Sequence, residues 1–268
     1  MAADQVVTAL LGAFDAQSNE RAASQEALQG WEGMPGYVPL LLQLYAAPPP
    51  RLTPDARLLA VVCLKNAVTR HWNARRAGVP AVPDADKAVL RAGLLQTLDE
   101  PEPRLSAQLL LLLAQVARFD GLAAWPELMP YLLQAASRPT AAAAARGLHA
   151  LYRVVKLQAS RRLLPHRKQF FALAAELLLR LQPLQQRYVE GLLRELGRRP
   201  PEQAAAWLLS GGEAGGADVL AAGLALCKLQ RQLLVSGWPQ LHTSPEPCAA
   251  LCALVEVLVE AQAQQQRL

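Results

Sequence analysis

Lys65, Asn66, Thr69 and Arg70 lie close enough in sequence to share one polar sector of a helix, facing away from Leu64, Ala67, Val68 and Trp72. An ammonium, a carboxamide, a hydroxyl and a guanidinium side by side offer many donors and few acceptors, a composition suited to a carboxylate-rich surface. The pattern recurs twice. Arg104, Gln108, Gln115 and Arg118 fall on one stripe with Leu111, at steps of three and four, and Arg146, His149, Arg153 and Lys156 do the same further on. Three stretches of the chain therefore present amide and cationic donors in the same manner, which is binding chemistry.

Groups for catalysis are not found in comparable patterns. There is no HExxH, no nucleophile elbow and no Cys with a nearby His, and the glycine-rich segment 211–216 (GGEAGG) lacks the Lys-Ser/Thr of a phosphate loop. Glu100 and Glu102 read as residues of an acidic proline-rich turn and form no acid and base pair. The cysteines at 63, 227, 248 and 252 sit in apolar helical contexts without CxxC spacing, so free thiols in a reducing compartment are expected, with no metal and no cofactor. Trp31, Trp72 and Trp125 read as packing residues, as large buried side chains usually are, and His71 falls on the apolar side of its helix as a packed imidazole.

The elements that must carry these stripes are all helical. Leu and Ala abound, aromatic residues make up 5% of the 268, and no hairpin signal appears. Thr53, Pro54 and Asp55 form a start signal made of an N-cap, a proline in the first turn and a charge favourable to the helix dipole, predicting a long helix over 53–76. Its first half, Leu58 to Leu64, is apolar nearly all round, as expected of a helix packed between neighbours. Further helices are predicted at 4–16, with Val6, Val7, Leu10, Leu11 and Phe14 inward, and at 18–31, 37–46, 84–98, 103–119, 122–136, 140–158, 166–181, 217–235 and 248–265, with a segment at 184–209 that the pattern does not resolve into one helix. The 20 prolines fall mostly at the starts and turns between them.

Helix pairs joined by short turns and recurring at roughly 40 residues are the signature of a HEAT or armadillo repeat. Arg57, Arg104 and Arg146 mark that recurrence near the start of the second helix of each pair. The expected fold is an all-α, right-handed solenoid of antiparallel helix pairs. The chain stops inside an amphipathic pattern at Arg267 and Leu268, as one end of a longer solenoid would. The start of the chain has acidic residues and no basic segment of a secretory signal, and the longest apolar run, Leu109 to Ala114, is too short to cross a bilayer. A soluble protein that does not engage membranes is expected.

Four words, QEALQGWEGMPGY, LLAVVCLKNAVTRHWNAR, AQVARFD and AAWPELMPYLLQ, are similar to the N-terminal region of the importin-β (karyopherin) family, those around Trp31, Lys65 and Trp125 in its order and spacing, and RGLHALYRVVKLQASRRL extends the likeness. The chain resembles that family to about Phe171, and beyond it mainly by helix count. The resemblance implies a Ran-binding region of N-terminal repeats over 1–171 and continuing repeats over 172–268. It further implies a nuclear transport receptor, moving between cytoplasm and nucleus, that binds the GTPase Ran in its GTP form through the second helix of each pair. Cargo and nucleoporin sites would lie mainly in later repeats. Under that reading Lys65, Asn66, Thr69, Arg70, Arg104, Gln108, Gln115, Arg118, Arg146, His149, Arg153 and Lys156 face Ran, with no catalytic role.

For any one of these residues, the solvated face of an amphipathic helix is the simpler account. Recurrence on three helices together with the family likeness reverses that preference. Two rivals remain: a helical-repeat binder of nucleic acid, suggested by the net charge of +5 and the clusters 161–168 and 194–199, and an adaptor that binds peptides without Ran. The lack of aromatics interleaved with those clusters, and 22 acidic residues, count against nucleic acid. A monomer is expected.

Overall fold

The computed structural model describes residues 2–15, 17–73, 80–212 and 215–241, with the isolated positions 249, 252 and 256. Every regular element among the described residues is helical. The chain divides into two compact units, Met1–Trp125 and Pro126–Leu268.

In the first unit α1 (Ala3–Gly12) and α2 (Ser18–Gly30) form a hairpin, α3 (Tyr37–Ala46) and α4 (Pro54–His71) a second, and α5 (Asp84–Leu95) and α6 (Pro103–Asp120) a third. Local chemistry sets the starts of the two long helices. Thr53 Oγ1 accepts from the Ala56 amide at 3.2 Å ahead of Pro54, and the Glu102 carboxylate accepts from the Arg104 amide at 3.2 Å ahead of Pro103. Helix α4 packs against α1, α3 and α6. It accordingly buries Ala56, Ala60, Val61, Cys63, Leu64, Ala67 and Val68, which occupy more than one side of the helix.

Three expectations are corrected here. Helix α1 stops at Gly12, so Phe14 leaves the inward stripe and is 55% exposed. Helix α4 stops at His71 short of Arg76, and Trp72 just beyond it is buried with its indole N–H donating to Asp120 at 2.7 Å. The end of the predicted 53–76 helix, at 74–76, lies outside the described residues, as does most of the helix predicted at 248–265. The helix predicted at 122–136 is broken: a 3-10 turn, Leu122–Ala124, precedes Trp125 and Pro126, and the proline disfavours helical backbone at the residue before it.

In the second unit α7 (Leu128–Ala136) pairs with α8 (Ala141–Ala159), which Thr140 caps through the Ala143 amide at 3.4 Å. Gly147 lies where α8 meets α7; a Cβ there would come within 2.4 Å of the Ala135 carbonyl carbon and the Ala136 nitrogen. Next comes α9 (Leu164–Gln185), which leads through a π turn, Gln186–Glu190, into α10 (Gly191–Gly197). Helix α11 (Pro201–Leu209) and α12 (Ala217–Leu241) complete the unit.

The helix packed beside both α8 and α9 is α12. The π turn still buries Tyr188 and Val189, whereas neither α10 nor α11 has a buried residue, so those two short helices are an excursion from the stack. The stretch Ala217–Gly237 of α12 has the length and hydropathy to cross a membrane by composition. Its position accounts for part of that composition: Ala222, Ala225, Leu226, Leu229 and Leu233 are buried and the buried Gln230 amide donates to Gln185 on α9, while Leu224 and Val235 are exposed. Helical hairpins stacked through their second helices are the arrangement of an all-α HEAT-type repeat.

Candidate functional site

The stripes on α4 and α6 meet. Lys65 Nζ donates to Gln108 Oε1 at 3.1 Å, and Gln115 Nε2 donates to Thr69 Oγ1 at 2.7 Å, while the Thr69 hydroxyl donates to the Lys65 carbonyl at 2.7 Å. The polar strip is thus a set of rungs across two packed helices. Each rung leaves donors over, because an ammonium carries three and a carboxamide two. Arg118, at the far end of the strip, is exposed. Arg104 reaches Asp55 at 3.5 Å with both side chains about two-thirds exposed (70% and 66%), and such a pair contributes about 0–1 kcal/mol.

Arg70 has a different role from the one its place in the polar sector suggested. Its Nη1 donates at 2.8 Å to both oxygens of Glu32, a carboxylate only 4% exposed. His71 faces the same carboxylate at 3.6 Å and contacts the Pro80 carbonyl at 2.9 Å through Nδ1, so it is a polar neighbour of Glu32 rather than a ring packed on apolar surface. Asn66 lines a cavity of about 280 Å³ together with Phe14, Gln25, Glu32, Leu59 and Cys63. Burial, reinforced by the Glu32 charge, pushes the Cys63 thiol up to about 11, which keeps it protonated and unreactive at neutral pH. Cys227 and Cys252 are also free, and both are exposed, unlike the apolar surroundings expected of them; Cys248 lies outside the described residues.

The third stripe, on α8, is described within its own unit. His149 faces α12, where burial first, then the charges of Lys228 and Arg153, holds its pKa below the ordinary histidine value. It is therefore a neutral imidazole at pH 7 and supplies no cation to the stripe. Lys156 is exposed with its ammonium 5.8 Å from the Tyr152 ring centroid, and Arg146 and Arg153 are half-buried.

Sequence reading missed three carboxylates that hold the cationic helices in place. Glu100, taken as a turn residue, is 6% exposed; it accepts from Tyr45 Oη at 2.6 Å, from Arg57 Nη2 at 2.9 Å and from the Glu102 amide at 3.0 Å. Burial raises the carboxyl pKa, yet these hydrogen bonds and the Arg57 charge hold it below the ordinary range. Asp120 accepts from Trp72 at 2.7 Å and from Arg91 at 3.1 Å, tying α5 and α6 to the end of α4. Glu32 is the third. Each lies at the edge of a helix or in a turn, where periodicity gives no signal of burial.

Comparison with known proteins fits this architecture. Residues 24–100 match the model of the importin-beta N-terminal domain. The chain is 31% identical over 235 residues to Importin-11 of Homo sapiens and to Importin-11 of Mus musculus, covering 88% of this chain and 22% of each relative. It is 31% identical over 112 residues to Importin beta-like protein KAP120 of Saccharomyces cerevisiae, covering 42% of this chain and 10% of that one. The chain thus spans about a fifth of the length of the first two curated relatives. Among solved structures it is similar to Lph2, titled a novel bidirectional nuclear transport receptor in S. cerevisiae, with a TM-score of 0.61 at 23% identity over 91% of this chain and 22% of that one. That last likeness is one of fold. With the N-terminal domain matched in the first unit and the relatives aligned over most of the length, the chain belongs to the importin-β (karyopherin) family.

Proposed function

We propose that this chain is the Ran-binding N-terminal region of an importin-type nuclear transport receptor, active in the cytoplasm and nucleus, with 1–171 as the region that engages Ran in its GTP form. One observation carries the reading: α4, inside the matched importin-beta N-terminal domain, and α6, which follows that domain, share a strip of cationic and amide donors, Lys65 with Gln108 and Thr69 with Gln115, ending on exposed Arg118. Such a strip recognises a carboxylate-bearing protein surface through charge-assisted hydrogen bonds, a binding function that requires no catalysis. Arg153 and Lys156 on α8 are assigned to the same partner. Cargo and nucleoporins would be bound chiefly by regions of the receptor beyond the stretch aligned here.

Capture by the immobilised chain of Ran loaded with a non-hydrolysable GTP analogue, Ran·GDP or RNA tests this reading. Retention of the GTP form alone is the expected result. Equal retention of both nucleotide forms, or of RNA only, would overturn it.

A further inference from the structure

Between Glu127 and Glu176 the chain contains no acidic residue while carrying Arg138, Arg146, Arg153, Lys156, Arg161, Arg162, Arg167 and Lys168. The last four of these crowd the connection from α8 to α9, within the second unit. There the sequence Arg162-Leu163-Leu164-Pro165 is exposed throughout, with Leu163 67% and Leu164 63% open to solvent, and Arg167 and Lys168 follow, also exposed. Arg161 turns inward, its guanidinium 3.0 Å from His166 Nε2, and Arg167 covers the Phe171 ring at 5.6 Å.

This arrangement is unfavourable for the isolated chain in two ways. Two leucines side by side, both largely open to water, forgo most of the free energy that burying them would gain. Cations in the first turn of α9 face the positive end of its dipole, where acidic residues are preferred, and no acid lies in that turn. The segment therefore presents an apolar step bracketed by positive charge, with no counter-charge supplied from the same stretch.

We propose that the α8–α9 connection is a docking site for a short acidic peptide segment that carries one or two apolar residues between its carboxylates. The apolar residues cover Leu163 and Leu164, and the carboxylates pair with Arg162, Arg167 and Lys168 while opposing the dipole of α9. Charge complementarity selects the partner. A nucleic acid would supply anions, yet the connection has no free aromatic face on which a base could stack, Phe171 being covered by Arg167. A flat anionic membrane would use the cations, yet a two-leucine step is a small anchor beside the amphipathic stripe of a membrane-surface helix. This site lies within the region assigned to Ran but is independent of the donor strip, since it uses none of the side chains assigned to contact Ran.

The test is fluorescence anisotropy with the full chain at physiological salt. The probes are a labelled acidic peptide bearing a Leu-Phe pair, the same peptide with Ser-Ser in that place, labelled poly(U), and vesicles of phosphatidylserine and phosphatidylcholine. The Leu-Phe peptide should bind. Arg162→Glu/Lys168→Glu should weaken it by about tenfold or more, and Leu163→Ser/Leu164→Ser by about fivefold, on the scale of truncating interface anchors. The leucine variant should leave the weaker Ser-Ser peptide unchanged. Circular dichroism melts of both variants check the fold, and both positions are exposed enough for it to persist. No binding of the Leu-Phe peptide, equal binding by the charge-reversed chain, or binding of poly(U) or vesicles in preference to the peptide would overturn the proposal.

Discussion

Arg70 holds Glu32 through two hydrogen bonds of 2.8 Å from one nitrogen, joining α4 to the turn after α2 across a carboxylate that water hardly reaches. The pair is asymmetric, because Arg70 is half exposed at 51% while Glu32 is 4% exposed. Losing the arginine leaves a buried charge with only His71 nearby, whereas losing the carboxylate leaves a guanidinium that water can solvate. Arg70→Ala should therefore lower stability by about 1–3 kcal/mol, less than the roughly 3–5 kcal/mol of breaking a fully buried pair because one partner is solvated. Glu32→Gln should cost less, and the double variant should recover part of the loss. Denaturant titrations of the three variants check this. Equal losses for both single variants would show that the asymmetry of burial does not govern the pair.

Glu100 makes acid stability depend on one turn. Its folded pKa lies below the ordinary carboxylate value of about 4.3. The unfolded state therefore binds a proton first as pH falls; the contribution of Glu100 is fully present above the unfolded pKa and is lost as pH drops through the folded one. The difference in melting temperature between the wild-type chain and Glu100→Gln should be constant from pH 7 to about 5 and shrink below about 4. A difference independent of pH down to 3 would assign the loss to packing rather than to the carboxylate. Arg57 and Tyr45 are the partners that make the charge worth keeping.

At Gly147 the usual sign of a substitution reverses. Replacing a helix-interior glycine by alanine ordinarily stabilises by about 1 kcal/mol. Here the added methyl would meet the α7 backbone at Ala135 and Ala136, which cannot rotate away as a side chain can. Gly147→Ala should instead destabilise by about 1–3 kcal/mol, the range for overpacking. A thermal melt decides it: a raised melting temperature would mean that α7 and α8 separate more readily than their contact suggests.

Much of this was legible in the sequence where periodicity and caps carry information. Thr53 with Pro54 and Tyr37 to Ala46 place their helices correctly, and the apolar run through Val61, Cys63 and Leu64 reads as a helix with neighbours on several sides, as α4 is. The packing of α12 beside α8 was not legible, because nothing in residues 191–209 distinguishes an excursion from the next repeat until burial is known. Arg57, Arg104 and Arg146 mark a true recurrence of helix pairs, yet Arg57 pairs with buried Glu100 while Arg104 meets exposed Asp55, so equal spacing did not mean equal role. Of the donor stripe, sequence located the members but could not foresee that Lys65 and Gln108, or Thr69 and Gln115, would bond each other, since long-range partners leave no local signature.

The most direct test of the central reading is the affinity of the Lys65→Glu/Arg118→Glu chain for Ran loaded with a GTP analogue, measured across salt concentrations beside its melting temperature. A carboxylate in place of the Lys65 ammonium could still accept from the Gln108 amide, and Arg118 is exposed, so the fold should persist. If the α4–α6 strip binds Ran, affinity should fall by about 2 kcal/mol or more and its salt dependence should flatten, with the melting temperature unchanged. Affinity and salt dependence both equal to those of the wild-type chain, in a variant that melts normally, would contradict the account.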